Sequence, residues 1–129
     1  MSFADYIGTP WEAGAQGPDA YDCMGFFRML QGRYFGIDVP KIIAPDYNDP
    51  RVLVDLFGSH PERKRWPQIE RPVHGCAVIV RSPLHIGTWL NIDGGGVLHC
   101  VRGIGVIFTT DSAWPLSGFG RREFFRLEA

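Results

Sequence analysis

Hydrophobic and polar positions divide the chain into two unlike halves. The first twenty residues, rich in Gly, Pro and Asp, follow no regular period and read as an irregular approach. From Asp22 the period becomes helical. Phe26, Phe27, Leu30 and Tyr34 recur at three-to-four spacing, and Gly36 stops the run. Asp22 suits an N-cap, which puts Cys23 in the first turn of that helix. Turn signals follow over residues 37–48 around Pro40 and Pro45. Asp49-Pro50 then opens a short second helix through Leu56, with Pro at its first position.

After Pro72 the pattern turns to strand. Cys76–Val80 is a compact β-branched run, and His85–Ile92 and Val97–Val101 alternate. The segment IDGGG at 92–96 lies between the last two as a hairpin loop. Gly105–Thr110 and Glu123–Leu127 supply further strands. Helices first and antiparallel strands later define an α+β domain. Residues between Trp66 and Pro72 form a linker inside one domain spanning 1–129, because neither half could bury a core alone.

Composition narrows the class. The 129 residues are 45% hydrophobic and 21% charged with a formal net charge of −1. That is the balance of a globular protein. It offers no bulk attraction to nucleic acid or to an anionic membrane, so neither partner is expected. Pro61–Arg65 (PERKR) reads as a solvated loop. The N-terminus shows no basic start followed by an apolar run, and no apolar stretch is long enough to span a bilayer. The expectation is synthesis in the cytoplasm without a signal peptide. Any role in a virion or at the cell wall then needs another delivery route.

The three cysteines differ in setting. Cys76 and Cys100 sit inside apolar runs and read as core. An odd count without a signal sequence argues against a disulfide framework. Cys23 is placed at a helix N-terminus, where unpaired N–H groups and the helix dipole favour a thiolate. Asp22 beside it disfavours that anion, unless capping hydrogen bonds occupy its carboxylate. A base must come from elsewhere in the chain. His60 and His74 read as loop and turn residues; His85 and His99 lie on adjacent strands.

Along the first of these strands His85, Gly87 and Trp89 share a face; along the second, Val97, His99 and Val101 do. A loop centred on Ile92 and Asp93 makes the histidines cross-strand neighbours, about 5 Å apart at Cβ. A tight turn on Gly94-Gly95 instead puts His99 opposite Leu90, and the pair is broken. If they meet, His85 takes the thiol proton and His99 holds the His85 ring in the right tautomer. A zinc site from His74, Cys76, His99 and Cys100 is the metal alternative, but the spacings are poor for tetrahedral ligation. Gly94–Gly96 lacks the Lys-Ser/Thr of a phosphate loop. Neither metal nor cofactor is expected.

The stretch YIGTPWEAGAQGPDAYDCMGF (Tyr6 to Phe26) resembles the nucleophile motif of NlpC/P60 peptidases. That motif has a Gly-x-Pro-aromatic lead, a Gly-rich turn and Asp-Cys-Ser-Gly-Phe. HIGTWLNIDGGGVLHC (His85 to Cys100) resembles the family's His-Val-Gly-aliphatic-aromatic strand, hairpin and second His. The two motifs, in order and joined by a Pro-rich connector, cover nearly the whole chain. GIDVP (Gly36 to Pro40) and the ending FFRL (Phe124 to Leu127) resemble a phage tail-assembly or tail-tip branch of the family.

The resemblance implies a papain-like fold, a helix carrying Cys packed on an antiparallel sheet carrying both His. It implies Cys23 as nucleophile, His85 as base and His99 as orienting residue, with the Cys23 backbone N–H in an oxyanion hole. It puts Trp11, Asp22 and Met24 against the substrate. Trp11 stands where many members have Tyr. Met24 replaces the usual Ser and Ala15 the second Gly of the turn, which loosens the substrate detail. The implied substrate is a cell-wall stem peptide, cut between D-glutamate and a diamino acid, with phage tail proteins as possible partners. Two alternatives use the same residues: a catalytically silent tail module, and a thiol hydrolase acting on a non-wall amide. Trp66, Trp89 and Trp114 read as core, and Trp11 as a groove residue.

Overall fold

A computed structural model describes residues 2–39, 65–81 and 84–127. The second helix expected from Asp49, the turns around Pro40 and Pro45, His60 and most of the PERKR run lie outside these residues. Among them the architecture is α+β: one α-helix on a six-stranded antiparallel sheet.

The helix, α1, spans Cys23–Phe35. It starts there because the Asp22 carboxylate accepts a hydrogen bond from the Gly25 N–H, satisfying a donor that the first turn leaves unpaired. It stops at Gly36, whose φ of 67° is left-handed and cheap only for a residue without Cβ. Phe26, Phe27 and Leu30 are buried as their spacing predicts. Removing each from water contributes about 1.5–3 kcal/mol. Gln31 is also fully buried. Its amide donates to Gly75 O at 2.9 Å and to Thr88 Oγ1 at 3.3 Å, which stitches the helix to the sheet.

In chain order the strands are β1 (Gln68–Ile69), β2 (Ala77–Arg81), β3 (Leu84–Leu90), β4 (Gly96–Val101), β5 (Gly105–Thr110) and β6 (Arg122–Phe125). The sheet order is β1-β6-β2-β3-β4-β5. Ala77, Ile79, Ile86, Leu90, Leu98, Cys100, Val106 and Phe125 point toward α1. On the other face Cys76, Val78, Val80, Trp89 and Val97 pack with Trp114. Both faces of the central strands are therefore covered. All six residues of β4 are buried, although its sequence was expected to alternate between core and water. The irregular N-terminal segment shields the β5 edge, with Gly8 N bonded to Val106 O and Val106 N to Thr9 O. No helix among the described residues is long and apolar enough to cross a membrane.

Candidate active site

Cys23 is the first residue of α1 and keeps part of its surface exposed. Its side chain packs in the cluster that holds Ile86, with Leu84 beside it, at the start of β3. Burial, and then the Asp22 carboxylate, push its thiol up to about 12. Hydrogen bonds from the backbone of Ile86, Met24 and Cys23 work in the opposite direction, stabilising the anion, but do not win. The thiol is therefore neutral at neutral pH. As expected, capping occupies the Asp22 carboxylate, but its charge still reaches the sulfur.

His85 sits one residue before Ile86, on the second position of β3. Its Nε2 lies 2.7 Å from Nδ1 of His99. The cross-strand register is neither of the two considered from sequence. Thr88 faces Leu98, Trp89 faces Val97 and Leu90 faces Gly96, so the turn centres on Asp93. Asp93, Gly94 and Gly95 all take positive φ, at 51°, 83° and 101°. Continuing that register, His99 stands across from Gly87, not from His85. The histidines are diagonal neighbours, a separation long side chains still bridge. Gly87 makes the approach possible: a Cβ there would lie 2.6 Å from Val97 Cγ1 and 2.9 Å from His99 Cβ.

The second nitrogen of His99, Nε2, is 3.0 Å from Thr109 Oγ1 on β5. Residues 111–120 fold over the pair. Phe119 stacks on His85 with centroids 4.6 Å apart and a 20° interplanar angle, and Trp114 lies 5.7 Å from His99. This cover is pinned at both ends. The Asp111 carboxylate accepts from Trp89 Nε1 and from Arg122, whose guanidinium lies over the Trp114 ring. His85 is 5% exposed and His99 fully buried. Burial, and then the charge of His99, hold His85 well below the usual imidazole range; burial brings His99 down to about 4. Both rings are neutral at neutral pH.

These shifts predict the pH range of stability. A histidine whose folded pKa is lowered binds fewer protons folded than unfolded between the two values, so stability falls as pH drops from about 6.5 to about 4. His99 alone accounts for about 3 kcal/mol of that loss. The Cys23 thiol has its pKa raised, so stability is lost as pH rises above about 9. Urea unfolding across pH is expected to show a plateau between these limits; a curve flat down to pH 4 would contradict the buried neutral pair.

The remaining expected site residues are placed differently. Asp22 is fully buried as the helix cap, and Met24 is packed in the core at 5% exposure; neither presents a surface to a substrate. Trp11 is half-buried, bridges to Tyr21 two residues before Cys23, and lies under the Arg102 guanidinium. Trp66, Trp89 and Trp114 are buried, as expected. The four residues of the zinc alternative do not converge. Cys100 points toward α1 and bonds Tyr21 O, His99 lies on the opposite face, and His74 Nδ1 accepts from Asn91 N. No group of three or more His, Cys, Asp or Glu among the described residues could hold a metal ion. Among the described residues no hydrogen bond joins Cys23 Sγ to His85, whose Nε2 is the nitrogen engaged by His99. Sequence reasoning missed Thr109, Phe119 and the place of Trp114 beside His99. Only the register of β5 and the fold of the following loop bring them there.

The fold is that of a known structure, the NlpC/p60 domain of the peptidoglycan hydrolase SagA. The two superimpose with a TM-score of 0.61 at 20% sequence identity, covering 95% of this chain and 91% of that one. No protein-family model matches the chain, and no curated protein is detectably similar to it in sequence.

Proposed function

We propose that the protein is a cysteine peptidase that hydrolyses peptidoglycan stem peptides at the bond between D-glutamate and a diamino acid. Cys23 is the nucleophile, His85 the base and His99 the residue that orients it. The observation that carries the reading is the 2.7 Å contact between His85 Nε2 and His99 Nδ1, with the next residue of that strand, Ile86, packed with Cys23 at the helix N-terminus. Both thiol and imidazole rest neutral, so the thiolate forms only as its proton leaves. Sulfur bonds to the amide carbonyl carbon while its proton passes to His85 Nδ1. The new imidazolium is stabilised through its Nε2–H by His99. The carbon–nitrogen bond then breaks, and His85 returns the proton to the leaving amine. Water attacks the thioester, giving one proton to His85, which passes it to the departing sulfur. The backbone N–H of Cys23 belongs to the oxyanion hole. The fold shared with a domain of a peptidoglycan hydrolase, and the two sequence motifs, support the substrate class. The GIDVP and FFRL segments support a place in a phage tail, with tail proteins as partners.

The near-complete cover of both histidines by Phe119 and Trp114 favours a second reading, a catalytically silent assembly module. The test is incubation with peptidoglycan fragments from several wall types, with products read by mass spectrometry beside a Cys23→Ala control. Cleavage that vanishes in the control is the expected result, and the products name the bond. Absence of cleavage, together with a Cys23 inert to electrophiles at neutral pH, would leave the silent module standing.

A further inference from the structure

We propose that Thr109 is a positioning residue: by accepting a hydrogen bond from His99, it fixes which nitrogen of His85 is free to take a proton. The inference rests on the reading of His85 as a base, but its central claim concerns protonation alone.

The geometry forms one line of contacts. His85 Nε2 meets His99 Nδ1 at 2.7 Å, and His99 Nε2 meets Thr109 Oγ1 at 3.0 Å. Each ring is neutral at neutral pH, because both are buried, and a neutral imidazole carries one N–H. In each contact one atom must donate and the other accept. That leaves two arrangements of the whole line. In the first, His85 Nε2–H donates to His99 Nδ1, and His99 Nε2–H donates to Thr109 Oγ1. His85 Nδ1 then carries a lone pair. In the second, Thr109 donates to His99 Nε2, His99 Nδ1–H donates to His85 Nε2, and His85 Nδ1 carries the hydrogen. Only the first leaves a base at Nδ1.

The acceptor at the far end of the line therefore decides the state of its near end. His99 is fully enclosed, by Trp114 at 5.7 Å, Phe119 at 5.6 Å and its neighbouring strands. Without Thr109 its Nε2–H would have no partner among the described residues. An orphaned buried N–H is less tolerated than an orphaned acceptor. Deleting the hydroxyl thus drives the line toward the second arrangement. Thr109 can accept freely because its own hydroxyl hydrogen has another outlet: the residue is part-exposed, while the ring it serves is not. It stands on β5 across from Val97, two residues along from Ile107, which faces His99, so it is a diagonal neighbour of His99 and the contact is set by strand register.

The test is nitrogen-15 NMR of the two histidine rings at neutral pH, on the full chain, with Thr109→Val and Thr109→Ser beside the wild type. The wild type is expected to show His85 protonated at Nε2 and bare at Nδ1. Thr109→Val should move the hydrogen toward Nδ1 and lower kcat/KM about tenfold, the loss expected for one hydrogen bond; Thr109→Ser should restore both. A wild-type His85 already protonated at Nδ1 overturns the proposal, with no variant needing to fold. A Thr109→Val protein with the wild-type tautomer overturns it as well. The two readings fail separately. A tautomer that follows Thr109 in a protein that cleaves no amide supports the relay and retires the peptidase. An active enzyme whose tautomer ignores Thr109 does the reverse.

Discussion

His85→Ala is expected to lower kcat/KM on a stem peptide by about 10⁴- to 10⁵-fold. The magnitude follows from the state of the sulfur. With the Cys23 thiol pushed up to about 12, roughly one molecule in 10⁵ holds a thiolate at pH 7 without assistance. In the proposed mechanism the base removes that penalty by taking the proton during attack, and its loss restores the penalty. The variant should therefore depend on thiolate formed in advance, and its rate should rise about tenfold per pH unit well into the alkaline range. The wild type should stay comparatively flat. The fold should survive, and its stability on the acid side should improve, because one buried neutral histidine is gone. Steady-state kinetics across pH, with urea unfolding as control, measure both. Activity within tenfold of the wild type would remove His85 from the mechanism.

Gly87→Ala is expected to cost about 1–3 kcal/mol of stability, the usual penalty for overpacking. It should also lower activity about as far as His99→Ala does. The added Cβ would fall 2.6 Å from Val97 Cγ1 and 2.9 Å from His99 Cβ, both well inside ordinary contact. Neither neighbour is a flexible chain end: Val97 is fully buried, and a shift of the His99 Cβ swings its ring off His85. A double-mutant cycle isolates this cause. If Gly87 acts by letting the rings meet, Gly87→Ala adds nothing to the activity loss of His99→Ala, although it still lowers stability. Fully additive activity losses would show that the glycine acts by some other route.

Both predictions concern contacts that the sequence announces only in part. The α1 boundaries were legible because their causes are local: Asp22 caps a donor three residues on, and Gly36 takes a left-handed φ. The strands from β2 to β5 were legible to within two residues because β-branched runs and Gly-rich turns are also local signals. β6 begins one residue before the expected strand and ends two before it, at Phe125. β1 falls in the stretch the sequence predicts as linker; its two residues become a strand only because Phe124 and Phe125 of β6 lie alongside.

The candidate site divides along the same line. Cys23, His85 and His99 could be singled out from the sequence, since a cysteine at a capped helix start and histidines of known phase need only local reasoning. Period two gives the face of a strand, but not which residue stands opposite. The register came from three successive positive-φ residues at Asp93, Gly94 and Gly95, and it made the histidines diagonal neighbours across Gly87. That β5 offers Thr109 to His99, and that the loop after it lays Phe119 on His85, depends on partners far apart in the chain. The sequence by itself determined α1, the strands β2 to β5 and the candidate residues of the site, because each depends on neighbours within a turn. Tertiary structure alone decided which of those groups touch and how deeply they are buried. Burial then set their protonation, since withdrawing a side chain from water disfavours its charged form.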